Sequence, residues 1–510
     1  MHLNNIRWGV TLSYVSLSVN IILSILYTPI MLRILGQSEH GLYSTVSSTM
    51  SWLSLLGLGI GSSYIYYFSR YKTKQDSIAI ASLNGLFLII FFVIGIICLI
   101  CGIFISYHLH LIFSDGMTAK EYTIARTLAI IVSIDMAIGF PFSVFGAVIN
   151  AHERYIQSMT VALFQNICTP LLTFPLLLSG YGSIGMVATT TIVDFFAYSF
   201  KAFYCFHCIH MKVRFNRFES GIIKGIFRYS VFIALNSLIA QFATGLDKMF
   251  ITRYVNTAAA SIYAIGCSLY HYYSSFSGTV SGFFVTRIQM ITAELINDKL
   301  QLKKRLTEQF IKLGRIQFFI QMMMLTGIIF FGRAFIHFWA ERGGQDYSMS
   351  YSIALILCTA TTIPLIQNIG VTIQRAQNKH KFRTIFYGIM TTINVILTIY
   401  LCKMIGTIGA AIGTAVSTVL MDVIVMNFFY HRYLYLDIIA FWKSIFVMSK
   451  GLIVPVLLGI AINYLIICDT IHKFIVNVIL YTVVYCISMW LWGIGKEEKD
   501  LFSSILHIKI

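Results

Sequence analysis

The chain has 510 residues, of which 57% are hydrophobic and 11% charged, and it carries a formal net charge of +17. That composition, with a mean hydropathy of +0.79, excludes a soluble multidomain protein. The basic surplus calls for no nucleic acid, because most of it falls in short connections between apolar runs, where anionic lipid headgroups are the expected neighbours.

A hydrocarbon core roughly 30 Å thick takes about 20 apolar residues per helix, and lipid leaves no backbone polar group unpaired, so spans are helices or closed barrels. The runs here are continuous rather than alternating, which predicts an all-α polytopic membrane protein of about fourteen transmembrane helices. In chain order the expected spans are 9–33, 41–67, 77–107, 121–149, 156–179, 183–209, 228–254, 258–286, 313–336, 347–374, 384–404, 407–430, 446–468 and 473–495. The first run is long and flows into a second without a cleavage pattern, so the first helix is expected to direct insertion itself. With the N-terminus in the cytoplasm, 27 of the 37 Lys and Arg residues, Arg217, Lys496 and Lys509 among them, fall on the inner side. Eight fall outside or at outer ends, and Lys201 and Lys248 lie within spans, so both termini are predicted to be cytoplasmic.

The connections are too short for a catalytic domain. The longest, 287–315, is basic and amphipathic, while 212–227 and 431–445 mix aromatic or aliphatic residues with Arg and Lys, as helices lying on the cytoplasmic leaflet would. No phosphate-binding loop of the Walker type occurs, which argues against direct ATP hydrolysis. Two CxxC spacings are present, Cys98 to Cys101 inside an apolar run and Cys205 to Cys208 with His207 and His210. The latter superficially resembles a zinc cluster, but on a helix the cysteine and histidine pairs point to different faces and no second half-site follows, so no metal is expected.

An internal repeat of about 220 residues covers the first twelve spans. Arg33 precedes Tyr43 by ten residues as Arg253 precedes Tyr263, and Pro141 and Pro364 are followed 41 and 42 residues later by Gly182-Ser183-Ile184-Gly185 and Gly406-Thr407-Ile408-Gly409. Each half has six spans, an even number, so both enter from the same side. The expected organisation is two parallel six-helix bundles, 1–211 and 212–430, followed by 431–510 with an interfacial helix and two additional C-terminal transmembrane helices. Such paired bundles suit alternating access, with a substrate path between them. The Gly-rich stretch around Gly409 and Gly413 reads as a close helix contact.

Several segments carry a family resemblance. Pro364-Leu365-Ile366-Gln367-Asn368-Ile369-Gly370, then Gln374 to Arg383, then Asn394 and the stretch Gly406 to Ala411 resemble the second half of bacterial polysaccharide flippases. Pro29 to Gly41, Gly57 to Gly61, Leu246-Asp247-Lys248 and Ile262 to Ile265 look like the same family, within the multidrug/oligosaccharidyl-lipid/polysaccharide exporter superfamily. The resemblance implies translocation of an undecaprenyl-pyrophosphate-linked oligosaccharide from the inner to the outer leaflet of the bacterial cytoplasmic membrane, for O-antigen, capsule or exopolysaccharide synthesis. It implies no cofactor, coupling to a proton or sodium gradient, and a lipid-linked oligosaccharide, membrane lipids and the polysaccharide polymerase and chain-length machinery as partners. A sugar headgroup with a pyrophosphate cannot cross hydrocarbon unaided, because its hydroxyls and charge would lose their water.

Ionisable groups inside spans cost at least about 2.5 kcal/mol at the centre, so each is a functional candidate. Asp135, Asp194 and Asp422 fall near mid-depth, with Asp194 and Asp422 on repeat-equivalent helices, and they are the candidate ion-coupling groups together with Asp247 in the seventh span. Lys248, Arg253 and Arg33 are candidate contacts for an anionic headgroup, although the two arginines sit at helix ends where snorkelling also accounts for them. Lys201 lies two turns beyond Asp194 on roughly the same face, and His271 and Tyr272 lie at mid-depth of the eighth span, where aromatic faces and hydroxyls suit sugar rings. Competing readings are a multidrug antiporter of the same superfamily, a lipid II flippase and, from another class, a membrane-embedded sugar polymerase. The last needs a larger outer loop than the roughly fifteen residues from Arg333 to Tyr347.

Overall fold

The computed structural model describes residues 2–57, 59–113, 116–215, 221–295, 297–377, 379–465, 470–495 and 498–499; Arg217, Lys496 and Lys509 lie outside them. Among the described residues every regular element is a helix, and eleven helical segments are long and apolar enough to cross a membrane. One of these, Ser18–Thr73, has 56 residues and covers two expected spans. The expected spans 228–254 and 258–286 are also helical, without standing among the eleven.

The chain divides into two compact units, Met1–Ile262 and Tyr263–Ile510, a different boundary from the 211/212 junction of the sequence repeat. The first unit contains α1 (His2–Met50), α2 (Ile60–Thr73), α3 (Ser77–Tyr107), α4 (Leu109–Phe113), α5 (Ala119–Ala151), α6 (Tyr155–Leu178), α7 (Gly182–His207), α8 (Ile222–Gly245), α9 (Asp247–Tyr254) and the start of α10 (Thr257–Glu294). The second holds the rest of α10, then α11 (Lys299–Trp339), α12 (Ser348–Ile366), α13 (Ile369–Ala376), α14 (His380–Ile405), α15 (Thr407–Thr418), α16 (Met426–Arg432), α17 (Ile438–Ser449), α18 (Ile453–Leu465) and α19 (Ile471–Ser488).

Local chemistry sets the helix ends. Gly36, at φ 75° and ψ 174°, interrupts α1 between the first two expected spans, a conformation glycine adopts without a Cβ clash. Thr118 and Glu121 form a reciprocal capping box at the start of α5, and Asp76 and Asp298 accept from first-turn amides of α3 and α11. Past Gly36, α1 packs on the start of α10 so closely that a Cβ on Gly41 would stand 1.7 Å from the carbonyl oxygen of Thr257. We therefore expect Gly41→Val to cost more than the roughly 1–3 kcal/mol of ordinary overpacking, because the obstacle is backbone. Membrane abundance on an immunoblot should collapse; wild-type abundance would show that these backbones do not meet.

The first unit's core joins Tyr64 and Phe68 of α2, Phe87 and Phe91 of α3, Val144 and Val148 of α5 and Cys205 of α7. The connector after α7 was expected to be an interfacial helix, yet residues 211–215 are not helical. They lie along the start of α3 instead, with Arg214 N donating to the Ala81 carbonyl at 2.9 Å and Asn84 Nδ2 to the Lys212 carbonyl at 2.8 Å. Backbone groups that find partners on a neighbouring helix do not need a helix of their own. Tyr64 completes the arrangement by donating to Asn84 Oδ1 at 2.7 Å.

In the second unit, Phe310 of α11, Phe429 and Tyr430 of α16, Phe441 of α17 and Tyr485 of α19 are buried in one cluster. The segment 431–445, expected on the membrane surface, includes most of α17, which continues into α18 as a single apolar stretch of 28 residues, Ile438–Leu465. A buried ion pair fastens these last helices. Arg315 Nε donates to Glu498 Oε1 at 2.5 Å, while its other nitrogens donate to the Ser444 hydroxyl at 3.1 Å and the Gly493 carbonyl at 3.2 Å.

Candidate functional site: a polar cavity in the first unit

Three helices of the first unit, α1, α6 and α7, enclose a cavity of about 430 Å³. Its wall is mixed: Leu23, Ala162, Pro170 and Met186 supply apolar surface, and hydroxyls, amides and a carboxylate are set among them, including Tyr27, Gln165, Asn166, Thr169, Thr190 and Asp194. The sequence arranges this through α6, which carries the adjacent amides Gln165 and Asn166 and then Pro170. Proline has no N–H, so Pro170 leaves the Asn166 carbonyl without its intrahelical partner and permits the helix to bend. The amides are tied across helices: Asn20 Nδ2 donates to Asn166 Oδ1 at 3.1 Å, and Asn166 Nδ2 to Ser16 Oγ at 3.2 Å.

Asp194 is the charged member of the wall. Gln165 Nε2 donates to its Oδ1 at 2.6 Å, and both Asp135 of α5 and Lys201 lie close enough to interact with it electrostatically. Tyr198, one turn beyond Asp194, is within electrostatic reach of both carboxylates and stacks on Phe142 with ring centroids 5.9 Å apart. Lys201 Nζ stands 5.9 Å from the Tyr198 ring centroid. Three sequence candidates, Asp135, Asp194 and Lys201, thus interact electrostatically, with Asp194 itself in the cavity wall. Two carboxylates flanked by an ammonium in a poorly screened setting can hold a proton or a monovalent cation between them, or exchange it for contact with an anionic ligand.

The remaining candidates of this unit lie elsewhere. Asp247 is buried at the first turn of α9, and Lys248 is half-buried and within electrostatic reach of His40, whose ring nitrogen contacts Ser261 Oγ at 2.7 Å. The Arg253 guanidinium donates to the carbonyls of Ile112 at 3.1 Å and Leu111 at 3.4 Å, so it docks on the end of α4. Arg33 is exposed. Cys205 is buried with its thiol directed to the Phe145 carbonyl, whereas Cys208 is exposed.

In the second unit Asp422 lies in a π-helical stretch, Val419–Val425, a distortion often found at functional positions. It accepts from the Tyr387 hydroxyl at 3.0 Å and faces Arg383 at 4.0 Å, and Arg383 in turn covers the Tyr387 ring at 4.9 Å. His271 is exposed and Tyr272 half-buried; of the neighbouring tyrosines, Tyr273 is buried and contacts the Thr362 hydroxyl at 2.8 Å.

Sequence reasoning passed over Gln165, Asn166, Asn20 and Tyr198 because it weighed charged groups and the aromatic cluster around His271 and gave no weight to amides within spans. Buried amides in lipid also require partners, so the adjacent Gln165-Asn166 pair carried a usable signal. Arg383 was counted as a connector residue just before a span, yet it joins Asp422.

A structure titled lipid II flippase MurJ in an inward closed conformation superposes with a TM-score of 0.71 at 16% identity, covering 97% of this chain and 99% of that one. An inward-facing multidrug resistance MATE family transporter of the MOP superfamily gives 0.67 at 14% identity, covering 84% and 99%. The MATE multidrug transporter DinF-BH gives 0.58 at 14% identity, covering 84% and 95%. At these identities the likeness is one of fold. No curated protein sequence matches the chain. The model of the polysaccharide biosynthesis protein family matches residues 7–286, more than half of the length, and the chain belongs to that family.

Proposed function

We propose that this protein is a flippase that moves an undecaprenyl-pyrophosphate-linked oligosaccharide from the inner to the outer leaflet of a bacterial cytoplasmic membrane by alternating access, supplying O-antigen, capsule or exopolysaccharide synthesis. The observation that carries this reading is the cavity of about 430 Å³ within a membrane-spanning unit, which brings hydroxyls, amides and the Asp194 carboxylate together among apolar side chains. Such a wall replaces the water that sugar hydroxyls lose on leaving solution. Asp194 and Asp135 are the proposed coupling groups for a proton or sodium gradient, with Asp422 as their repeat-related counterpart and Asp247 as a further candidate. Lys201 is the proposed headgroup contact at this site, and Lys248, Arg33, Arg253, His271 and Tyr272 are further proposed substrate contacts. Both termini are proposed to face the cytoplasm, with a polysaccharide polymerase and chain-length machinery as partners.

A multidrug antiporter is the second reading, and it would place acidic and aromatic groups around an organic cation. Such a site has no use for ammonium groups inside spans, so the presence of both Lys201 and Lys248 there favours an anionic ligand instead. The test uses proteoliposomes containing a fluorescent polyprenyl-pyrophosphate-linked oligosaccharide and an imposed pH or sodium gradient. Expected is gradient-dependent loss of protection from an external quencher. Rates equal to those of protein-free vesicles, together with gradient-driven uptake of an organic cation dye, would transfer the protein to the antiporter reading.

A further inference from the structure

On the lipid-facing side of the same helix pair runs a second concavity, of about 510 Å³, with a different lining. Its floor is formed by small or buried side chains, Val161 at 4% exposure and Ala197 at 1%. Its walls are Phe164 of α6 and Phe196, Phe200 and Phe203 of α7, all of them exposed. Residues 196, 200 and 203 fall at i, i+4 and i+7, so they form one stripe over roughly 10 Å of helix. Asp194, Ala197 and Lys201, at i, i+3 and i+7, form the stripe beside it. On α6 the groove residues Val161 and Phe164 are followed within a turn by the cavity residues Gln165, Asn166 and Thr169.

We propose that this groove holds the hydrocarbon tail of the transported lipid, a single polyisoprenyl chain, while its polar head occupies the adjacent cavity. The inference rests on the flippase reading and adds a tail site to it. Its occupant follows from the two compartments. One trough of this kind takes one chain, and the neighbouring cavity of about 430 Å³, with Asn20, Gln165 and Asn166 on its wall, takes a polar head larger than that of a common phospholipid, which would also bring a second chain. Charge agrees, since Lys201 adjoins the aromatic stripe on the side where an anionic linkage between chain and head would lie. Small residues between phenylalanines leave the depth, and the rings supply apolar contact on both sides.

The experiment is photolabelling of the full-length protein in phosphatidylglycerol/phosphatidylethanolamine nanodiscs with a polyprenyl phosphate bearing a diazirine on its chain. The expected result is label on peptides containing Phe164 and Phe200, competed by unlabelled polyprenyl phosphate and not by added phosphatidylglycerol. Yield should fall about tenfold, equivalent to 1.4 kcal/mol, in the double variant Phe164→Ala/Phe200→Ala. Ser199→Phe fills the trough from its mouth without touching the buried floor, and it should give the same loss with an unchanged gel-filtration profile. Equal competition by phosphatidylglycerol, label confined to other helices, or yield insensitive to Ser199→Phe would each overturn the tail site. Flipping by proteoliposomes without groove labelling would remove the groove and leave the flippase reading, whereas groove labelling without flipping would do the reverse.

Discussion

Asp194→Asn is expected to cut surface export of polysaccharide at least about tenfold in a complemented deletion strain while leaving the amount of protein in the membrane unchanged. The substitution keeps the shape of the side chain and an oxygen to accept from Gln165, now 2.6 Å from Asp194 Oδ1, and removes only the charge. Charged hydrogen bonds contribute about 1.5–3 kcal/mol, and at about 1.4 kcal/mol per tenfold in rate the loss of export should lie between about tenfold and a hundredfold. Abundance should hold, because a neutral amide costs less to insert at mid-membrane than a carboxylate. Asp194→Glu should recover part of the activity, and Lys248→Met, on a residue outside this cavity, provides the comparison for a second proposed contact. Unchanged export by Asp194→Asn would remove the carboxylate from the transport cycle and with it the proposed coupling site.

Arg315→Ala is expected to unfold the C-terminal helices, and a second substitution should rescue it. The pair it breaks is buried, with side-chain exposures of 13% for Arg315 and 8% for Glu498. Removing one partner of a buried pair typically costs about 3–5 kcal/mol because the other charge remains stranded. Here the loss also strands the Gly493 carbonyl and the Ser444 hydroxyl. The double variant Arg315→Met/Glu498→Leu replaces both charges with apolar groups of similar size and should regain most of the stability. Thermal unfolding in detergent, followed by a thiol-reactive dye, reads both effects. A double variant no more stable than Arg315→Ala would mean that the remaining hydrogen bonds, rather than the stranded carboxylate, hold the helices.

Much of the site was legible as cost. Asp135, Asp194 and Lys201 stood out because ionisable groups are expensive in hydrocarbon; Asp194 lines the cavity, and the other two lie within electrostatic reach of it. Their spacing along α7 also indicated that Asp194 and Lys201 share a face. What spacing could not provide was the set of neutral partners contributed by other helices, since Gln165 reaches Asp194 across a separation of 29 residues and Asn20 reaches Asn166 across 146. The same limit hid Arg383, whose partner Asp422 lies on a helix reached only after a full turn of the chain through the membrane.

By itself the sequence determined the medium, the helical class and the approximate position of twelve of the fourteen expected spans, because lipid admits few backbone solutions and hydropathy is additive along the chain. The break at Gly36 and the capping box at Thr118 are set by chemistry within a few residues, although the hydropathy reading did not register them. Only the tertiary structure decided that residues 211–215 lie along α3, that Arg253 docks on the carbonyls of α4, and that an aromatic groove runs beside a polar cavity on α6 and α7. Each of these depends on which helix stands beside which. In a bilayer that choice is made by close packing and interhelical hydrogen bonds between segments of nearly equal hydropathy, a difference that a linear reading of composition does not register.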